Sequence, residues 1–213
     1  MRGLALALAT VAALFFVSTA ASVAPRTMIT TNVTPFTAEG HLRGDLRVAR
    51  EVRGTCGPGS DSLPNNVYRC FFGNTVIDPC WRDWRASAPA VVCLDEPWAR
   101  TVIRLRLAAA PPPSSGHSDL GGEPWGITLR SGARCLAVQG AHDTLTGKYG
   151  APWIDYYCSR TLFLVRGINR SRAAWTIRAA RTTGELSHPY TLIGPVAIRT
   201  AWYGGNNPLS HRP

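Results

Sequence analysis

The sequence predicts an all-β protein: two short-stranded antiparallel β lobes, sandwich- or barrel-like and sharing a core, stapled by disulfides behind an N-terminal signal peptide. Three observations predict it. Apolar residues alternate with polar ones in short runs cut by Gly, Pro, Asn and Ser, and no long helical periodicity follows the first 24 residues. Six cysteines, an even number, all lie at or beyond Cys56. The N-terminus carries the charge and apolar pattern of an export leader.

Arg2 precedes an apolar run from Gly3 to Val17 broken only by Thr10, and the small residues Ser18, Thr19, Ala20 and Ala21 follow. That order reads as a secretory signal over residues 1–21, cut after Ala20 or Ala21. The competing reading is an uncleaved anchor, because the stretch to Ala24 is just long enough to span a bilayer. No later segment approaches the roughly 20 apolar residues a span needs, so no transmembrane span is expected after cleavage. With no cysteine before Cys56, a lipid-anchored lipoprotein is excluded. Residues 22–39 and 204–213 read as flexible tails.

In the first lobe, residues 40–107, strands are expected over Leu46–Val52, Val67–Phe72, Thr75–Ile77, Ala90–Cys93 and Val102–Leu107. The last, "VIRLRL", places Ile103, Leu105 and Leu107 inward and Arg104 and Arg106 outward. Gly73-Asn74 between two strand-like runs is a hairpin signal, since both residues accept positive φ. Pro79 should then end the ladder, Asp78 should bond nearby backbone amides, and Trp81 and Trp84 should cover a disulfide. Residues 108–123, "AAAPPPSSGHSDLGGE", read as a linker or long loop. The second lobe, residues 124–203, carries strand patterns over Trp125–Leu129, Cys135–Val138, Trp153–Tyr157, Leu162–Arg166, Ala174–Arg178 and Val196–Trp202. Ala173–Arg181 has helical composition, but its alternation favours a strand. Each lobe is small for an independent core, which is why a shared one is expected.

Cys56, Cys70, Cys80, Cys93, Cys135 and Cys158 contain no Cys-x-x-Cys pair, so zinc-ribbon and thioredoxin readings lose their main support. In an exported chain they make three disulfides. Sequence cannot choose among the pairings of the first four. The preferred set is sequential, and Cys135 with Cys158 is the most favoured pair because these two stand alone in the second lobe.

The chain holds 23 Lys+Arg against 13 Asp+Glu, and Lys148 is its one lysine. Arginine suits bidentate contact with carboxylate and phosphate, although an Ala-, Gly- and Pro-rich chain also points to GC-rich coding as the source of arginine. The charge is uneven. From Tyr156 onward stand Arg160, Arg166, Arg170, Arg172, Arg178, Arg181, Arg199 and Arg212, against Glu185 alone. The first six are the candidate binding residues for an anionic partner: cell-envelope polymer, acidic glycan or lipid headgroup. Nucleic acid ranks below these, since no recognised module accompanies the charge.

Catalytic patterns are scarce. Gly116-His117-Ser118-Asp119-Leu120 nearly spells a nucleophile elbow, but Leu120 replaces the second glycine and the setting is a loop. His-Glu-x-x-His and Ser-x-x-Lys are absent. His41, His117, His142, His188 and His211 have no ligand spacing, so no metal and no cofactor are expected. His142-Asp143 with Asp155 would form an acid/base or metal pair only if the fold converged them, and turn roles beside Gly140 and Gly147 are the simpler reading. No catalytic residue is assigned.

Gly54-Thr55-Cys56, Tyr68-Arg69-Cys70, Asn74 with Asp78-Pro79-Cys80, Val91-Val92-Cys93, Trp125, Gly132-Ala133-Arg134-Cys135, Tyr156-Tyr157-Cys158, Ala174-Trp175 and the run Val196–Trp202 follow one another in a recognisable series. Over residues 46–203 this resembles an uncharacterised family of secreted, six-cysteine bacterial proteins, mostly actinobacterial. The resemblance implies export and a shared fold, and carries over no catalytic residue. The chain departs from the commoner Gly-Ser-Cys-Trp start in having Gly57 after Cys56. A second, local stretch, "GARCLAVQG" with Cys158 and Trp175, is similar to one repeat of a ricin-type trefoil lectin, but its companion repeats are missing.

The expected function is therefore that of a secreted, non-enzymatic binding or envelope-associated module with a basic face. The alternative is a secreted hydrolase whose carboxylates, among Asp78, Asp83 and Asp155, meet in a cleft between the lobes.

Overall fold

The computed structural model describes residues 25–57, 60, 67–111, 123–138, 145, 152–183 and 189–205. The leader, the His117-Ser118-Asp119 loop, His142-Asp143 and the tail from residue 206 lie outside the described residues. The described chain is all-β and forms two closed sheets.

The first sheet comprises β2 (Arg47–Cys56), β3 (Val67–Phe72), β4 (Thr75–Arg82), β5 (Ala90–Cys93) and β6 (Thr101–Leu107). They run as a meander, each antiparallel to the next. With an odd number of alternating strands, the first and last must run in the same direction. The barrel accordingly closes through a parallel β2–β6 pairing, Arg47 beside Thr101 through Gly54 beside Leu107. A Cβ on Gly54 would stand 2.6 Å from both Leu105 Cδ2 and the Phe71 carbonyl oxygen, so closure here requires glycine.

The second sheet comprises β7 (Gly126–Leu129), β8 (Arg134–Ala137), β9 (Ile154–Tyr157), β10 (Leu162–Asn169), β11 (Thr176–Thr182) and β12 (Tyr190–Gly204). An even strand number permits antiparallel closure, β12 onto β7. β12 is long because it serves two sets of partners. Tyr190–Ala197 pairs with β11, while Ile198–Trp202 pairs with β7. The edge left open beyond β11 is taken by β1 (Met28–Val33), parallel to β12.

β1 corrects the expectation of a flexible tail over 22–39. Thr27, Val33 and Phe36 are buried, and the Thr27 hydroxyl donates to the Ile198 carbonyl at 2.9 Å while accepting the Trp175 N–H at 2.8 Å. The segment has too few apolar residues to announce itself, but a vacant sheet edge satisfies its backbone. β4 also outruns its expected end at Pro79. Asp78 and Pro79 oppose Arg69 in a bulge, where the missing proline N–H breaks no ladder bond. Only Gly73 of the Gly73-Asn74 turn takes positive φ, at 55°.

Strand alternation separates two cores in the first lobe. Tyr68, Cys70, Ile77, Cys80, Val91, Cys93 and Leu105 fill the barrel interior. Their neighbours Val67, Trp81, Val92 and Val102 point out of the barrel and pack with Trp125 of the second lobe and with Val33 and Phe36. The shared core therefore lies between the lobes, with Trp81 and Trp125 edge to face at 6.1 Å. Two residues of the first lobe show the effect. Val102, one residue out of phase with Ile103 and Leu105, is buried because the second lobe covers the barrel's outer face. Trp81 does not cover the neighbouring disulfide, because Cys80 faces in and Trp81 faces out. Trp84 is exposed, with the Arg82 guanidinium 3.8 Å above its ring.

The disulfides are Cys56–Cys70, Cys80–Cys93 and Cys135–Cys158. In the first two the bonded cysteines face each other across adjacent strands, so strand register alone brings the sulfurs together. Three sulfurs, of Cys70, Cys80 and Cys93, lie within 4.8 Å of one another, but all are bridged and none is a thiolate. Among the described residues no helix is long and apolar enough to cross a membrane.

Candidate anion-binding site

β10 departs from regular geometry at Arg166 and Gly167. Leu164 and Ile168 both face the interior, and in an unbroken strand Arg166 would share their face. Burying a lone guanidinium there would cost several kcal/mol, of the order seen for unpaired buried ions. The ladder avoids this. Val165 pairs with Arg178 and the next pair is Ile168 with Ile177, so Arg166 and Gly167 bulge out unopposed. Both adopt left-handed backbone, φ 68° and 69°, and Arg166 is the sole non-glycine residue with positive φ among those described. That conformation costs a β-carbon-bearing residue about 1 kcal/mol.

The bulge opens a cavity of 520 Å³ at the end of the β10–β11 hairpin. Arg166 enters from β10, Arg172 from the connection and Arg178 from β11, and Asn169, Ser171 and Thr176 add polar groups to the wall. The Asn169 side-chain oxygen accepts the Ser171 N–H at 2.9 Å, which tightens the connection. None of the three arginines makes an ion pair with a described residue, and no described acid lines the cavity.

The other candidate arginines divide differently. Arg170 does not line the cavity: it pairs with Glu123 at 2.9 Å, donates to the Tyr203 hydroxyl at 3.4 Å and stacks over Trp175 at 5.1 Å. Burial raises the Glu123 carboxyl above its ordinary value, Arg170 opposes that shift and Asp155 adds to it. Arg160 lies in the turn between β9 and β10, and Arg181 pairs with Leu162, so both belong to the far end of the hairpin from the cavity. Sequence placed all six on one face; the strands bring three together. Glu123 and Tyr203, which take Arg170 away, had no sequence signal, because they are distant in the chain and neighbours only through sheet closure.

The carboxylates considered for hydrolysis do not converge. Asp83 is buried against Arg104 at 3.2 Å and accepts the Arg85 N–H at 3.2 Å. It lines a 540 Å³ cavity on the first lobe with His41, Glu51, Arg85, Arg104 and Arg106, in which Glu51 is paired with Arg106. Asp155 accepts the Gly167 N–H at 2.8 Å. Asp78, almost fully buried, accepts from the Ser60 hydroxyl. Asp78 does line a 320 Å³ groove between the lobes, opposite Leu136, Val138 and Tyr157, and Asp95 shares that groove. Partial burial, and then the adjacent Glu96, raise the Asp95 carboxyl above its ordinary value.

No family model matches the chain. No curated protein and no solved structure matches it either.

Proposed function

We propose that the chain is an exported, non-enzymatic binding module that holds an acidic glycan of the cell envelope through Arg166, Arg172 and Arg178. The observation that carries this reading is three guanidiniums around one cavity with no acid among its described lining. Like charges set across neighbouring strands repel, and an oxoanion between them removes that cost while accepting forked hydrogen bonds. Ser171, Asn169 and Thr176 suit sugar hydroxyls, and the three disulfides suit an oxidising compartment. The likeness to secreted six-cysteine proteins supports export in the same sense.

The test is retention on immobilised heparin as salt is raised. Arg166→Glu/Arg172→Glu/Arg178→Glu should weaken binding by about a hundredfold. Arg160→Glu/Arg181→Glu/Arg199→Glu, with the same change in net charge, should weaken it far less. Equal losses in the two variants, or retention indifferent to salt, would end the reading. Anionic lipid vesicles captured in preference to heparin would replace glycan with membrane. The hydrolase alternative is favoured by one observation, the sharing of the inter-lobe groove by Asp78 and Asp95. It would take over if the protein released reducing ends from an acidic polysaccharide and Asp95→Asn did not.

A further inference from the structure

Two irregularities lie side by side in the second lobe. In β9, Ile154 pairs with Val165 and Tyr156 with Leu164, so Asp155 is an extra residue. Its insertion sends Ile154 and Tyr156 to opposite cores despite their even spacing. In β10, directly alongside, Arg166 and Gly167 are the extra residues. The Asp155 carboxylate accepts the Gly167 N–H at 2.8 Å and so ties one bulge to the other. Without that acceptor, nothing else among the hydrogen bonds described holds the Gly167 amide. A regular ladder would then return Arg166 toward the face of Leu164 and Ile168.

From this we infer that Asp155 is a positioning residue of the anion site: it holds the left-handed Arg166-Gly167 bulge that keeps Arg166 at the cavity. The inference rests on the anion-site reading, and it makes a counterintuitive prediction. Asp155 carries a negative charge close to a site that attracts negative charge, so by Coulomb's law alone its removal should tighten anion binding. Positioning demands the opposite.

The experiment measures the affinity of a heparin tetrasaccharide for the full chain, together with hydrogen exchange at the Gly167 amide. Asp155→Ala removes the acceptor and the charge; it should weaken binding about tenfold, the scale of one hydrogen bond to a charged group, and deprotect Gly167. Asp155→Asn removes the charge but keeps an oxygen that can accept the same N–H; it should bind at least as tightly as wild type, with Gly167 still protected. Unchanged or tighter binding by Asp155→Ala overturns the inference while leaving the anion site standing. If Asp155→Ala does not fold, weaker binding by Asp155→Asn with Gly167 protected overturns it equally. Absence of binding by the wild-type chain, in contrast, removes the anion site itself, and the positioning role with it.

Discussion

In the first lobe Arg43 and Arg100 converge on Asp45, both at 2.7 Å, Arg104 pairs with Asp83, and Arg106 pairs with Glu51. On the β10–β11 hairpin of the second lobe, Arg166, Arg172 and Arg178 surround a cavity with no such partner among the described residues. The two lobes use one residue type in two ways. Where guanidiniums meet carboxylates, arginine clads a barrel. Asp45 shows the consequence: its hydrogen bond from Arg43 lowers its pKa most, and the charges of Arg43 and Arg100 add to the effect. Where no carboxylate pairs with them directly, the same side chains leave their positive charge at the cavity, and that is the physical basis for ligand attraction.

The lobes also differ in what stabilises them. The barrel holds two disulfides, of which Cys80–Cys93 is wholly buried and Cys56–Cys70 is partly buried at Cys56, whereas the second lobe has one, partly buried at Cys158. Both lean on the core between them, and Trp81→Ala probes that dependence most severely. Truncating a fully buried indole should cost about 3–5 kcal/mol, and it also breaks the 2.9 Å bond from the indole N–H to the Gly205 carbonyl. Urea unfolding followed by fluorescence and far-ultraviolet dichroism should give one transition moved to lower urea. A split into two transitions would mean that the lobes fold independently.

A smaller effect separates the lobes from each other. Cys80→Ala/Cys93→Ala and Cys135→Ala/Cys158→Ala each release a short loop, worth about 3 kcal/mol in the chain-entropy picture. The second loop is longer, 23 residues against 13. Loop length grows only logarithmically in its effect, while the Cys80–Cys93 sulfurs are wholly buried in the barrel. The barrel pair should therefore be the costlier loss in the same urea measurement, and the reverse order would show that loop closure outweighs packing here.

The smallest effect concerns the inter-lobe groove. Because the folded state raises the Asp95 pKa, folding favours its protonated form, and the stability this contributes is lost as pH rises through the carboxylate range. Asp95→Asn should melt slightly higher than wild type at neutral pH, with the difference vanishing below the ordinary carboxylate range. A variant less stable at neutral pH would assign Asp95 a favourable partner instead.

Particular residues show where sequence reading succeeds. "VIRLRL" and "VYRCFF" are strands because a period of two with β-branched and aromatic residues satisfies a pleated, half-buried surface locally. β1 was missed because its stability comes from the edge of β12, some 170 residues away, and not from its own composition. Asp95 and Glu123 were missed for the same reason: each matters only through neighbours supplied by other strands. The local excess of arginine was legible, but which three of six would meet was not, since one bulge in β10 redirects a side chain that simple alternation would bury.

Local chemistry, then, determined the class of the chain: short alternating runs make strands, cysteines spaced for adjacent ribbons make bridges, and arginines without acids make a basic segment. Tertiary structure decided the rest. Strand parity set how each sheet closes, and the bulges at Asp155 and Arg166 set which charges gather around one cavity. The physical reason is range. Backbone preference and side-chain period act over a few residues, whereas sheet closure and charge convergence depend on partners that only the folded chain brings within hydrogen-bond distance.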